Sequence, residues 1–181
     1  MVRWILVLGL ALLTTGFLSA VSVALGISNL PLLPVILLVA YLVVADSGLE
    51  GMLMTAALGL FLDAWAGYLL GINMLICLGL FIAGSPLGGW GSSPRGVAGF
   101  FLGAISAMTY TLIHGALFTI FGEGEGRLSL STMLNAGFWN GILGVLLFPV
   151  IDQLFIYFGF SERELSLAER LSSRAAMDRR R

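Results

Sequence analysis

The residues able to do chemistry in this chain are few and sit inside apolar runs: Asp63, Cys77, His114 and the amides Asn73, Asn135 and Asn140. An aspartate at the centre of a membrane helix costs about 2.5–3.5 kcal/mol on insertion scales, so each such group is a functional candidate by default. Asp63 lies close to the end of its run, where a helix C-terminal dipole is unfavourable to a carboxylate, and it needs a donor. The turn that follows leads into a helix whose first free N–H groups, together with Asn73, can supply one. The expectation is that Asp63 staples two helices at that turn. A lone histidine on an apolar helix is more often packed and hydrogen-bonded than a ligand or proton carrier, and His114 is expected to be so. One cysteine excludes disulfide and thiolate-metal frameworks within the chain. No His-rich pattern, phosphate-cradling glycine loop or nucleotide motif occurs. Ser85, within Ala83-Gly84-Ser85-Pro86, invites an intramembrane serine-protease reading with His114. The Gly-x-Ser-Gly surroundings of that class are missing, and the two residues are expected in opposite halves of the membrane. No enzyme, cofactor or metal is expected.

The elements that hold these residues follow from composition. Hydrophobic residues make up 59% of the chain and charged residues 10%, against roughly 25% charged in an ordinary soluble domain. A single water-soluble core cannot hide that much apolar surface, so the bilayer is the expected solvent. Net charge is −1, and nothing points to nucleic acid. Apolar runs at 4–27, 30–45, 48–67, 71–87, 97–121 and 133–158 predict six transmembrane helices, each approaching the about 20 residues that cross a hydrocarbon core. The second run is short, about 24 Å at 1.5 Å per residue. The first continues past a signal peptide's apolar region without a small-x-small exit, and is expected to stay as a helix. All nine basic residues are arginine. With the N-terminus inside, only Arg127 is outside, and the rest obey the positive-inside rule.

That topology gathers Asp63, Asn73, His114, Asn135, Trp139 and Asn140 in the outer half of the bilayer. They form an expected polar cluster, a shallow pocket, or an interface for a partner's helix. The 24 glycines suit close helix packing, because small residues let backbones touch where no hydrophobic effect drives association. Small-xxx-small pairs are Gly67 with Gly71, Gly99 with Gly103, and Gly137 with Gly141. Pro149 interrupts the last run and is expected to kink it. Residues 1–160 form the transmembrane domain. Residues 161–181 are a separate basic tail, either solvated or an amphipathic helix on the inner leaflet with Leu165, Ala168 and Leu171 in its apolar stripe.

The stretch Leu58-Gly59-Leu60-Phe61-Leu62-Asp63-Ala64-Trp65-Ala66-Gly67, then Leu70-Gly71-Ile72-Asn73, resembles the rod shape-determining protein MreD family. The short second run, and Asn140-Gly141 followed by Leu147-Phe148-Pro149, extend that likeness over nearly the whole chain. The tail departs from it, being longer and more mixed in charge. The resemblance implies an all-α integral membrane protein, a six-helix bundle similar to the S-components of energy-coupling-factor vitamin transporters. It also implies a non-enzymatic scaffold of the cell-elongation machinery in the bacterial inner membrane. The implied partner is MreC, and through it MreB, RodA and the elongation transpeptidase; the membrane lipid itself is the other partner. The alternative is a transport subunit that captures a vitamin-like ligand from outside. Gly16, Ala20 and Ala24 would then offer its coupling protein a docking face, although the same spacing suits any helix partner.

Overall fold

The computed structural model describes residues 2–24, 32–46, 48–66, 71–86, 95–121 and 129–158. They form six α-helices: α1 (Val2–Ala24), α2 (Pro34–Ala45), α3 (Leu49–Ala66), α4 (Ile72–Gly84), α5 (Arg95–Phe121) and α6 (Leu130–Tyr157). No strand occurs among the described residues. The chain divides into two units, Met1–Phe148 and Pro149–Arg181.

Three helices are long and apolar enough to cross a membrane, over Arg3–Ala20, Gly96–Leu117 and Leu130–Tyr157. Large apolar side chains point outward from them, with Ile5 71% and Phe17 69% exposed on α1, and Phe101, Ile105, Phe138 and Leu146 exposed on α5 and α6. Water would not tolerate that surface, whereas lipid tails do. This is a membrane protein.

The helices of the first unit pack around α2, which touches α1, α3, α4 and α5. Every residue of α2 from Pro34 to Val43 is buried. It is therefore apolar on all sides, as a helix enclosed by other helices must be. It begins at Pro34 and not at residue 30, so its 12 residues rise only about 18 Å. The expected second span is corrected accordingly. A proline at the first helical turn lacks the N–H that would be orphaned there, and this fixes the start. The last expected run is corrected in the other direction, because α6 starts at Leu130 and takes in Ser131 and Thr132. Pro149 lies inside α6.

The remaining helices bury one stripe each. On α5 the stripe is Gly99, Leu102, Gly103, Ala107 and Tyr110; on α6 it is Ala136, Gly137, Asn140, Gly141, Gly144 and Phe148. Glycine decides how α5 and α6 meet. A Cβ on Gly99 would lie 2.5 Å from the Gly144 carbonyl oxygen, and a Cβ on Gly144 would collide with the Gly99 carbonyl. A Cβ on Gly103 would lie 2.7 Å from the Asn140 carbonyl oxygen, and Gly137 and Gly141 face Met108 and Phe100. The two backbones touch, as small residues permit in lipid.

Candidate functional site

Asp63 lies in the last turn of α3 and is 1% exposed. Its Oδ2 accepts hydrogen bonds from the Gly71 N–H at 2.9 Å and the Met74 N–H at 3.3 Å, and its Oδ1 accepts from the Asn73 N–H at 2.9 Å. These donors are the N-cap and the second and third residues of α4, groups with no partner inside their own helix. Gly71 has no side chain with which to cap them, so a carboxylate from the preceding helix does so instead. The positive end of the α4 dipole and three charge-assisted bonds offset the cost of burying the ion. Two glycines make this possible. Gly71 adopts φ +103°, a conformation that side chains rarely take. Gly59, one turn below Asp63 on the same face of α3, lets the α4 backbone come so close that a Cβ would collide with Met74.

The network extends to a third helix. The Tyr110 hydroxyl of α5 donates to Asn73 Oδ1 at 2.7 Å, with both residues buried. His114, one turn further along α5, stacks on the Tyr110 ring with centroids 5.3 Å apart and planes at 28°. Asp63, Asn73, Tyr110 and His114 thus form one connected group across α3, α4 and α5.

The other expected members lie elsewhere. Asn140 is buried on α6, where its Oδ1 accepts from the Leu33 N–H at 2.8 Å and its Nδ2 donates to the Ala136 carbonyl at 2.8 Å. Leu33 immediately precedes α2, and its amide would otherwise be an orphan at a buried helix start. Asn135 and Trp139 are on the opposite face of α6; Asn135 is exposed and Trp139 is 39% exposed. The expected single cluster is corrected to three groups, because a helix turns by 100° per residue and cannot aim residues 135, 139 and 140 the same way. A Cβ on Gly71 would meet nothing within 4 Å, so its role is the backbone turn and not helix packing. Gly67 lies outside the described residues.

The opposite end of the bundle carries an ion pair. Arg3 of α1 reaches Asp46 at 2.8 Å and Glu50 at 3.4 Å. Asp46 also accepts from the Gly48 N–H at 3.0 Å, closing the turn between α2 and α3. Sequence reasoning missed Asp46 and Glu50 as partners of Arg3. The signal was a tight turn flanked by two acids, with the chain's first arginine at the same membrane edge. Tyr110 was also missed, although a tyrosine inside an apolar helix needs a hydroxyl partner. Gly144 follows Gly137 and Gly141 at helical spacing and belongs with them.

Among the described residues no three of His, Cys, Asp and Glu gather as a metal site. Comparison of the chain with protein-family models, with curated proteins and with solved structures finds no match.

Proposed function

We propose that this chain is a six-span scaffold of the bacterial cytoplasmic membrane, similar to MreD. It binds the transmembrane helix of MreC and so helps to tie MreB filaments to peptidoglycan synthesis by RodA and its transpeptidase. The observation that carries this reading is the use made of Asp63. Both oxygens of the carboxylate best placed to do chemistry accept backbone N–H groups, and Asn73, Tyr110 and Asn140 likewise join helices to one another. Such a bundle is built to present surfaces. The Asn135 and Trp139 face of α6, polar within an apolar helix, is the face we assign to a partner helix.

Alternating spans over α1 to α4 are supported by the way their ends meet, while the inside placement of both termini rests on the arginine distribution. Arg3 at the start of α1 meets the end of α2 and the start of α3, whereas Asp63 at the end of α3 meets the start of α4. The short α2 is enclosed by its neighbours, whereas the short α4 buries Asn73, Ile76, Cys77 and Phe81 and turns Leu75 and Ile82 outward.

The test is co-purification of the full chain with an MreC-type protein, together with cell shape on depletion. Binding and rounded cells are expected. No binding, with a vitamin-like ligand surviving purification, would overturn the scaffold in favour of the transport subunit.

A further inference from the structure

The helices differ in apolar length. On α3 the carboxylates of Glu50 and Asp63 bracket the uncharged residues 51–62, which rise about 20 Å from one acid to the other. The 13 residues of α4 rise about 20 Å and the 12 of α2 about 18 Å. By contrast α5 is apolar over the 22 residues Gly96–Leu117, or about 33 Å. A hydrocarbon core is about 30 Å thick, so α5 matches it and α3 and α4 do not.

The shortfall lies at one end. Leu37 of α2 meets Gly103 of α5, and from that level Asp46 and Arg95 are each about 12–14 Å away. Those ends are flush. At the other end the Tyr110 hydroxyl reaches Asn73 beside Asp63. A helical side chain leans toward its own N-terminus, so the α5 backbone at Tyr110 stands no lower than Asn73. From there α5 stays apolar to Leu117, about 10 Å further on. Past Asp63, α3 ends at Ala66, about 4–5 Å on, and by Gly71 the chain is back at the Asp63 carboxylate.

Side chains mark the same step. Trp65, just above Asp63, is 56% exposed, and tryptophan favours the headgroup level. At that height on α5 the exposed residue is Leu112. His114, half-buried on the side of α5 that stacks on Tyr110, suits headgroups and water better than tails. Lower down, α3 and α4 turn Leu53, Leu60, Leu75 and Ile82 outward, which is lipid-facing chemistry. Short helices are matched to a bilayer by basic side chains that reach the interface or by thinning of the lipid. Neither α3 nor α4 contains lysine or arginine, and tilting would only shorten their reach.

We infer that the bilayer is thinned over the α3–α4 face, in the leaflet that holds Asp63. Headgroups descend there to Trp65, while tails still cover α5 as far as Leu117. The occupant of this face is lipid, whichever partner helix the protein binds elsewhere.

Nitroxide accessibility on the full chain in lipid nanodiscs tests this, with Cys77→Ala as background. Labels at Ala64→Cys on α3 and Leu112→Cys on α5 stand at one height, and both native residues are exposed. Leu60→Cys and Ile105→Cys are the deeper controls. In dioleoyl phosphatidylcholine the Ala64 label is expected to collide with a water-soluble nickel chelate severalfold more often than the Leu112 label, while both controls favour oxygen. In the shorter chains of dimyristoleoyl phosphatidylcholine, headgroups come down along α5 too, and the Leu112 label gains chelate contact until the two agree. Equal collision ratios at Ala64 and Leu112 in the dioleoyl bilayer overturn the step, as does a Leu112 label indifferent to chain length. A Leu60 label shielded from both reagents overturns lipid as the occupant, because protein then covers the face.

Discussion

A carboxylate that caps the next helix in the chain imposes a requirement that its amide cannot meet. Asn has one acceptor oxygen, and its NH₂ group would face backbone donors where Asp63 Oδ2 now accepts two N–H groups. Asp63→Ala is expected to lower stability by about 2–4 kcal/mol, since it leaves buried N–H groups unpaired. Asp63→Asn is expected to recover only part of that loss. Thermal unfolding in detergent reads both, and an Asn variant as stable as the native chain would remove the charge from the account. Tyr110→Phe deletes the bond to Asn73 and should cost about 1 kcal/mol. In a double-mutant cycle with Asn73→Ala the two losses should not add, because the residues are in direct contact. Gly71→Ala forces a side chain into positive φ and should cost about 1–2 kcal/mol. The same change at Gly16, where a Cβ meets open space, should cost nothing measurable.

At the scale of elements, apolar runs made the helices legible, because a run bounded by glycine, proline or charge is readable in one dimension. The donors for Asp63 were also within reach, since Gly71, Asn73 and Met74 are the next helix's opening residues and lie close by in sequence. What could not be read was rotation about each helix axis. Hydropathy is high on every face of α6, so nothing in the residue types says that Asn140 turns inward while Asn135 turns out. The start of α2 was hidden for a similar reason: Leu32 and Leu33 are as apolar as the helix they precede, and two prolines, Pro31 and Pro34, compete to mark the boundary. Long-range pairs such as Leu33 with Asn140, or Gly99 with Gly144, lie beyond any local pattern. Gly144→Leu is expected to push α5 and α6 apart and lower the melting temperature in detergent, at a cost of about 1–3 kcal/mol from overpacking. Asn140→Ala should cost about 1–3 kcal/mol through the orphaned Leu33 amide, and an unchanged melting temperature would mean that this amide has another acceptor.

For the molecule as a whole, orientation is the expectation on which the scaffold reading depends. Reporter fusions should place the segment 122–128 outside and the tail 161–181 inside, and the reverse assignment would move the Asp63 group to the inner leaflet. The enclosed α2 bears on how such a chain is made. A helix of 12 residues is too short to dwell in a bilayer by itself, and it emerges from the ribosome well before α5, which packs on it, and α6, which supplies the partner of the Leu33 amide. The nascent α2 must therefore wait, sheltered by the insertion machinery or by chaperoning lipid defects, until the last third of the sequence arrives. Products that stop short of residue 140 are expected to be cleared by membrane proteases, while full-length chains persist.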